Sequence, residues 1–152
     1  MPTFGYSIVG LDKDKSAIAS KRDAPVSPKK TREVCHAIKG MQLQRAKEYL
    51  DRVLNFKQPV PFKRHNKHQA HRKGKGFGPG RFPIKSVSKV LELLNEVENN
   101  AEYKGLDIDK CRIVHIAVNK GRRYKKYIPR AFGRSSPYYE TRSHIEVAIV
   151  EE

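Results

Sequence analysis

The chain alternates between stretches with a clear apolar period and stretches with none. In "SPKKTREVCHAIKG", Val34, Ile38 and Met41 recur at spacings of four and three, the period of one helical face. Ser27 suits an N-cap, and Pro28 suits the first helical position, where its missing N–H costs nothing. Gly40 suits a left-handed helix end. A second helix is predicted in "MQLQRAKEYLDRVLNF". Leu43, Ala46, Leu50 and Val53 mark its apolar face, with Tyr49 and Leu54 beside it. The link between the two helices is so short that they must pack as neighbours, steeply or antiparallel. The strongest helical pattern is "PIKSVSKVLELLNEVENNAEYKG". Val87, Val90, Leu91, Leu94, Val97 and Ala101 form one stripe there, and Gly105 stops it.

After a turn at "LDIDK" the period changes to two. "CRIVHIAV" reads as a strand with Val114, Ile116 and Val118 on one face. "HIEVAIV" reads as its partner, with Ile145, Val147 and Ile149 on one face and His144, Glu146 and Ala148 on the other. Near the start, "YSIVG" and "SAIAS" fit either short strands or an extended tail.

Two long segments have no such pattern. From Lys57 to Pro83 the chain carries prolines at 59, 61, 79 and 83 and glycines at 74, 76, 78 and 80, and no Asp or Glu occurs from Arg52 through Leu91. This predicts an irregular basic loop, long enough to be either functional or disordered. Its charge is expected to keep it off any apolar core, so that it orders only on a partner. The second segment, Asn119 to His144, lies between the two strands. Its basic residues face a single acid, Glu140, and are interleaved with Tyr124, Tyr127, Phe132, Tyr138 and Tyr139. A loose surface loop and a long hairpin arm both fit, and the flanking strands favour the arm. Two limbs of about thirteen residues, at about 3.3 Å each, reach roughly 40 Å. That exceeds the gyration radius of about 15 Å expected for a chain of this size. A two-stranded ribbon with no core behind it is marginal in water, so something else must support it. Pro129 and Gly133 are expected near its turn.

Composition narrows what that support is. Lys and Arg number 32 against 16 Asp and Glu, a net charge of +16 in 152 residues. A small domain with this excess attracts polyanions. A membrane is a poorer candidate, because no apolar run approaches the roughly 20 residues that span a bilayer. The start "MPTFGYSIVGLDKDKS" has no signal-peptide pattern, so cytoplasmic residence is expected. Cys35 and Cys111 stand alone and read as reduced, buried residues. His65, His68 and His71 are regularly spaced, but they lack a nearby Cys or carboxylate and sit in a basic field, so no metal is expected. "GKGFGPG" lacks the phosphate-loop pattern, so no cofactor is expected. Glu92, Glu96, Glu98 and Glu102 read as a solvated or ion-paired helix face, and no catalytic grouping stands out, so an enzyme is not expected.

The chemistry that remains is RNA binding. Arg forks match phosphates, and Arg and Tyr both stack on unpaired bases. Candidate RNA contacts are Lys29 and Lys30 ahead of the first helix's apolar face. In the loop they are Lys63, Arg64, His65, Lys67, His68, His71, Arg72, Lys73, Lys75 and Arg81. In the arm they are Lys120, Arg122, Arg123, Lys125, Lys126, Arg130, Arg134 and Arg142. The alternative is a DNA regulator with "SPKKTREVCHAIKGMQLQRAKEYL" as a helix-turn-helix. Against it, the basic residues lie mostly in two non-helical extensions rather than along one recognition helix.

Specific motifs carry a resemblance. "NAEYKGLDIDKCRIVHIAVNKG", then "PRAFGR", then "HIEVAIV" resemble the large-subunit ribosomal protein twenty-two family, from about Ser16 to the end. "QPVPFKRHN" and "GFGPGRFP" look like the insertion of its archaeal and eukaryotic branch. The resemblance implies an α+β fold: three helices packed on a small antiparallel three-stranded sheet, with a long protruding β-hairpin. It implies one domain over 16–152, including the insertion loop 57–83 and the hairpin 119–144, after an N-terminal extension over 1–15. The first strand should fall within Ala17 to Ser27 and pair beside the other two. The implied role is structural, in the large subunit in the cytoplasm, aiding its assembly. The implied partners are large-subunit ribosomal RNA, neighbouring ribosomal proteins and the nascent polypeptide, with no membrane. By match to the family's motif, Tyr124, Lys125, Lys126, Tyr127, Ile128, Pro129 and Arg130 form a tip that lines the peptide exit tunnel, and Arg134 falls on the returning limb.

Overall fold

The structure, a computed structural model, describes residues 5–74 and 78–151. Helix α1 spans Pro28–Ile38. Ser27 has the extended backbone of an N-cap, but its hydroxyl makes no capping bond. Its carbonyl is used instead, accepting from the Thr31 hydroxyl at 2.8 Å. Gly40 takes the left-handed conformation expected of it, at φ +81°. The link it forms is tied to strand β4 (Cys111–Tyr124), since Gly40 N–H donates to the Ile113 carbonyl and Ile113 N–H to that of Met41, both at 2.9 Å. Helix α2 (Leu43–Leu54) buries Leu43, Ala46, Leu50 and Val53.

Helix α3 (Ile84–Tyr103) packs against α1, α2 and strand β1 (Ser16–Ala24). Its buried stripe differs from the sequence expectation by one residue. Leu93 is fully buried, whereas Leu91 is only half-buried. The helix is covered from several sides, so the stripe is wide and runs Val87, Val90, Leu93, Leu94, Val97 and Ala101.

The sheet is antiparallel in the order β1–β7–β4, with β7 (Glu140–Glu151) in the centre. As a central strand β7 is buried on both faces. Ile145, Val147 and Ile149 join the core, while Glu146 and Ala148 on the opposite face are also buried. Ser7, ahead of β1, lies against that second face. Ser7 donates to the Glu146 carboxylate through its hydroxyl and, at 3.2 Å, through its N–H. The Ser7 hydroxyl also lies 2.9 Å from His115 Nε2.

Strand β4 corrects the expected inward face. Ile113 pairs with Ile149, but His115 pairs with Ala148, so Val114 is an extra residue in a bulge. The inward positions are therefore Cys111 and Ile113 before the bulge and Ile116 after it, while Val114 is 39% exposed. A second slip lies between Lys120 and Arg123, and β1 slips between Lys21 and Ala24. Asp23 occupies that β1 irregularity with φ +55°. Cys35 and Cys111 are free and buried, and burial pushes the Cys35 thiol up to about 12. Among the described residues no helix is long and apolar enough to cross a membrane.

The loop of residues 57–83 departs from expectation. Strands β2 (Val60–Pro61) and β3 (Gly80–Arg81) pair antiparallel at its base. Val60 is fully buried and Phe62 is 4% exposed, both within the core. Positive charge does not keep the loop off the core, because the stretch from Gln58 to Phe62 carries no charge.

Candidate nucleic-acid interface

The loop is held by a carboxylate that sequence reasoning had passed over. Glu33 of α1 is 1% exposed and accepts from the backbone N–H groups of Lys63 at 2.9 Å, His65 at 3.0 Å and Arg64 at 3.3 Å. Burial by itself would raise its pKa, but the three amides outweigh burial and hold it below its usual value. Glu33 is the only acid between Asp23 and Glu48, and no Asp or Glu occurs in the loop itself. That isolation is the signal available in the sequence.

With the amides turned toward Glu33, the side chains of Lys63, Arg64 and Lys67 are exposed and His65 is half-buried. Lys29, Lys30, Phe62, Arg64, His65 and Lys67 line a cleft of about 340 Å³ with no carboxylate in its wall. Five of the predicted RNA contacts thus converge from two distant parts of the chain. Others in the loop serve its own structure. Arg81 Nε donates to Gln69 Oε1 at 2.5 Å, and the Arg72 guanidinium lies over the Phe82 ring at 5.6 Å. Farther out, His71 bridges to Pro79, and Arg72 N–H donates to the Gly78 carbonyl at 2.8 Å. His68 and Lys73 are exposed, and Lys75 lies outside the described residues. Among the described residues no group of three or more His, Cys, Asp or Glu side chains could hold a metal ion.

Residues 119–144 form the expected arm. Strands β4 and β7 continue outward as far as the pair Tyr124–Glu140. Strands β5 (Tyr127–Pro129) and β6 (Ser135–Pro137) then pair and carry the ribbon to its turn. The turn is Arg130 to Arg134, closed by Arg130 N–H to the Arg134 carbonyl at 2.7 Å. Phe132 and Gly133 reverse the chain with φ of +58° and +64°. The turn lies at and beyond the last residue of the expected tip segment. Of the seven residues from Tyr124 to Arg130 only Arg130 lies in the turn, and Tyr124 and Tyr127–Pro129 are paired in the shaft. The end of the arm is Arg130 and Arg134 around Phe132, which is 94% exposed.

The shaft holds itself together across the strands. Lys126 and Arg142 pair with Glu140 at 2.6 and 3.2 Å. The Lys126 ammonium, with the Arg142 guanidinium, holds the Glu140 carboxyl below its usual range. Tyr127 and Tyr139 meet edge to face at 6.1 Å, Arg123 lies over Tyr139 at 5.6 Å, and Arg142 over Tyr124 at 5.1 Å. Arg123, Lys126 and Arg142 therefore have intramolecular roles, while Lys120, Arg122, Lys125, Arg130 and Arg134 point their charge outward from exposed positions.

At the root, Asp23 clasps the arm. Its N–H donates to His144 Nδ1 at 2.9 Å, its carbonyl accepts from Arg142 at 3.3 Å, and its Oδ2 accepts from the Tyr124 hydroxyl at 3.4 Å. Gly121 lies under this clasp. A Cβ there would come within 3.1 Å of Asp23 Oδ1 and 3.2 Å of the Arg142 backbone.

Residues 19–150 match the family model described as ribosomal protein L22p/L17e. The chain is similar to the large ribosomal subunit protein uL22 of Ignicoccus hospitalis, at 47% identity over 158 aligned positions covering 100% of this chain and 99% of that protein. It is 46% identical to that of Hyperthermus butylicus, with the same coverage. It is 48% identical to that of Methanopyrus kandleri, over 93% of this chain and 90% of that protein.

Proposed function

Because this chain belongs to the ribosomal protein L22p/L17e family, we propose that it acts as a structural, non-catalytic component of the large ribosomal subunit that binds ribosomal RNA through its loop and its arm. The observation that supports this most is the cationic cleft between α1 and the loop, where Lys29, Lys30, Arg64 and Lys67 gather with no carboxylate in the wall. Such a cluster repels itself until phosphates enter it. Lys and Arg here neutralise phosphates where RNA segments converge, and counterion release drives the association.

The arm extends the same principle away from the core. Its exposed charges meet RNA along the shaft, and its turn at Arg130–Arg134 meets the nascent polypeptide in the exit tunnel. The exposure of Phe132 and the closure of the chain at Gly133 support placing that contact at the turn rather than at Tyr124. The reading as a DNA regulator has less support. The α1–α2 link is bonded to β4, and α2 spends its charge on Lys47–Glu98 and Arg52–Glu48 pairs rather than presenting a basic face.

The test is the binding of the full chain to large-subunit RNA across a salt series. Affinity should fall steeply as salt rises, and the protein should sediment with the large subunit. Affinity that hardly changes with salt would overturn the electrostatic mechanism, and absence from the large-subunit fraction would overturn the assignment.

A further inference from the structure

Three adjoining clefts join the insertion loop to the arm. The first is the cationic cleft of Lys29, Lys30, Arg64 and Lys67. Ser27 and Lys30 also line a second, of about 230 Å³, which crosses the start of α3 at Pro83 and Lys85. Pro25, Val26, Ile84 and Lys85 pass from it into a third, of about 750 Å³, whose far wall is Lys126, Tyr138 and Tyr139 of the arm. Because neighbouring clefts share wall residues, they form one groove.

The groove changes character along its length. The charged side chains at its loop end are all cations. Its arm end contains Glu92 and Glu140, but both are neutralised, Glu92 by Lys21 and Lys89 and Glu140 by Lys126 and Arg142. What that end offers instead is aromatic surface. Tyr139 is occupied by Tyr127 and Arg123, while Tyr138 is 62% exposed. Its backbone is fixed, since its N–H donates to the Lys126 carbonyl at 2.6 Å.

We propose that this groove binds a single unpaired RNA segment, its phosphates at Lys29, Lys30, Arg64 and Lys67 and a base on the ring of Tyr138. This rests on the RNA-binding reading above and names the form of RNA and its path. A positively charged track ending on a free aromatic face matches single-stranded nucleic acid, whose bases are open for stacking. A duplex offers the same phosphates but keeps its base faces inside the helix. An acidic peptide satisfies the cationic end and leaves Tyr138 without a role. One strand in this groove contacts both extensions at once, and so fixes the arm relative to the loop.

The test uses the full chain and a fluorescein-labelled oligouridylate of about twelve nucleotides, within the span of one such site. A duplex of equal length and polyglutamate serve as competitors. The double variant Lys30→Ala/Lys67→Ala should weaken binding about tenfold and lower the salt slope by about 1.4. Tyr138→Ala should weaken it about tenfold with the slope unchanged. The tip variant Arg130→Ala/Arg134→Ala should change it less than either, and circular dichroism should report an intact fold for all three. A tip effect as large as the groove effect, an inert Tyr138→Ala, or competition by duplex or polyglutamate as strong as by unlabelled oligouridylate would overturn the proposal. If any of these occurs while the unaltered chain still binds large-subunit RNA, the groove fails and the broader assignment stands. Loss of that binding overturns both.

Discussion

The loop of residues 57–83 enters the core with Val60 and Phe62 and hangs three amides on the Glu33 carboxylate. The arm of residues 119–144 is clasped at its root by Asp23, and its outer strands β5 and β6 pair with each other at the surface. Both segments are strongly basic, so charge does not separate them. One buried acceptor does. Beyond the short ladder at its base the loop still needs partners for its amides, and a carboxylate on a neighbouring helix accepts from three at once. A ribbon supplies its own partners across the strands and can leave the core.

This contrast can be broken at several points. The largest effect is expected from Phe62→Ala. Removing a buried aromatic ring should cost about 3 to 5 kcal/mol in urea unfolding, and a much smaller loss would show that the loop base is not part of the core. Glu33→Ala should cost about 3 kcal/mol, because three amides lose a charged acceptor. Hydrogen exchange at Lys63, Arg64 and His65 should accelerate in that variant while exchange in the arm is unchanged.

The pH dependence of Glu33 sharpens the same point. Its folded pKa is depressed, so its contribution to stability is present above its ordinary value of 4.5 and is lost as pH falls through the lower folded value. Glu33→Gln should lack this part of the acid limb. Equal acid limbs in the two proteins would show that the carboxylate does not hold the loop.

At the arm's root, Gly121→Ala should cost about 1 to 2 kcal/mol, since the added methyl presses on Asp23 and on the Arg142 backbone. The smallest effect is expected from replacing Tyr127–Pro137 with an Asn-Gly turn, which should change the stability of the isolated protein by less than about 0.5 kcal/mol. A large loss there would mean that the outer arm is packed on the core after all.

Much of this molecule was readable residue by residue. The three helices followed from apolar spacing, because each buries one stripe. The arm followed from two strands flanking a segment without core residues, and Gly133 lies in its turn as expected. What could not be read depended on contacts between distant segments. Val114 belongs to an apolar alternation in "CRIVHIAV", yet a bulge against β7 turns it outward. Spacing favours Leu91 over Leu93 for the stripe, and the packing of α1, α2 and β1 around α3 reverses that order. Glu33 looks like an ordinary helix-surface acid until the loop arrives above it. The cationic set was visible as composition, but its division into groove, shaft and internal ion pairs was not. Arg81, Arg123, Lys126 and Arg142 are occupied within the chain.

The two bulges of β4 make the arm a lever. Both extra residues lie on the same strand, one at Val114 and one between Lys120 and Arg123, so both add local twist and bend on the way out of the sheet. The second bulge ends at Arg122, ten residues short of Phe132 (132 − 122), which is roughly 33 Å of ribbon at about 3.3 Å per residue. A rotation of about 20° at the root, comparable to the twist between adjacent strands, sweeps the far end through roughly 11 Å. Removing a bulge residue can leave every core pairing intact and still miss the target, because the fulcrum sets where the arm is aimed.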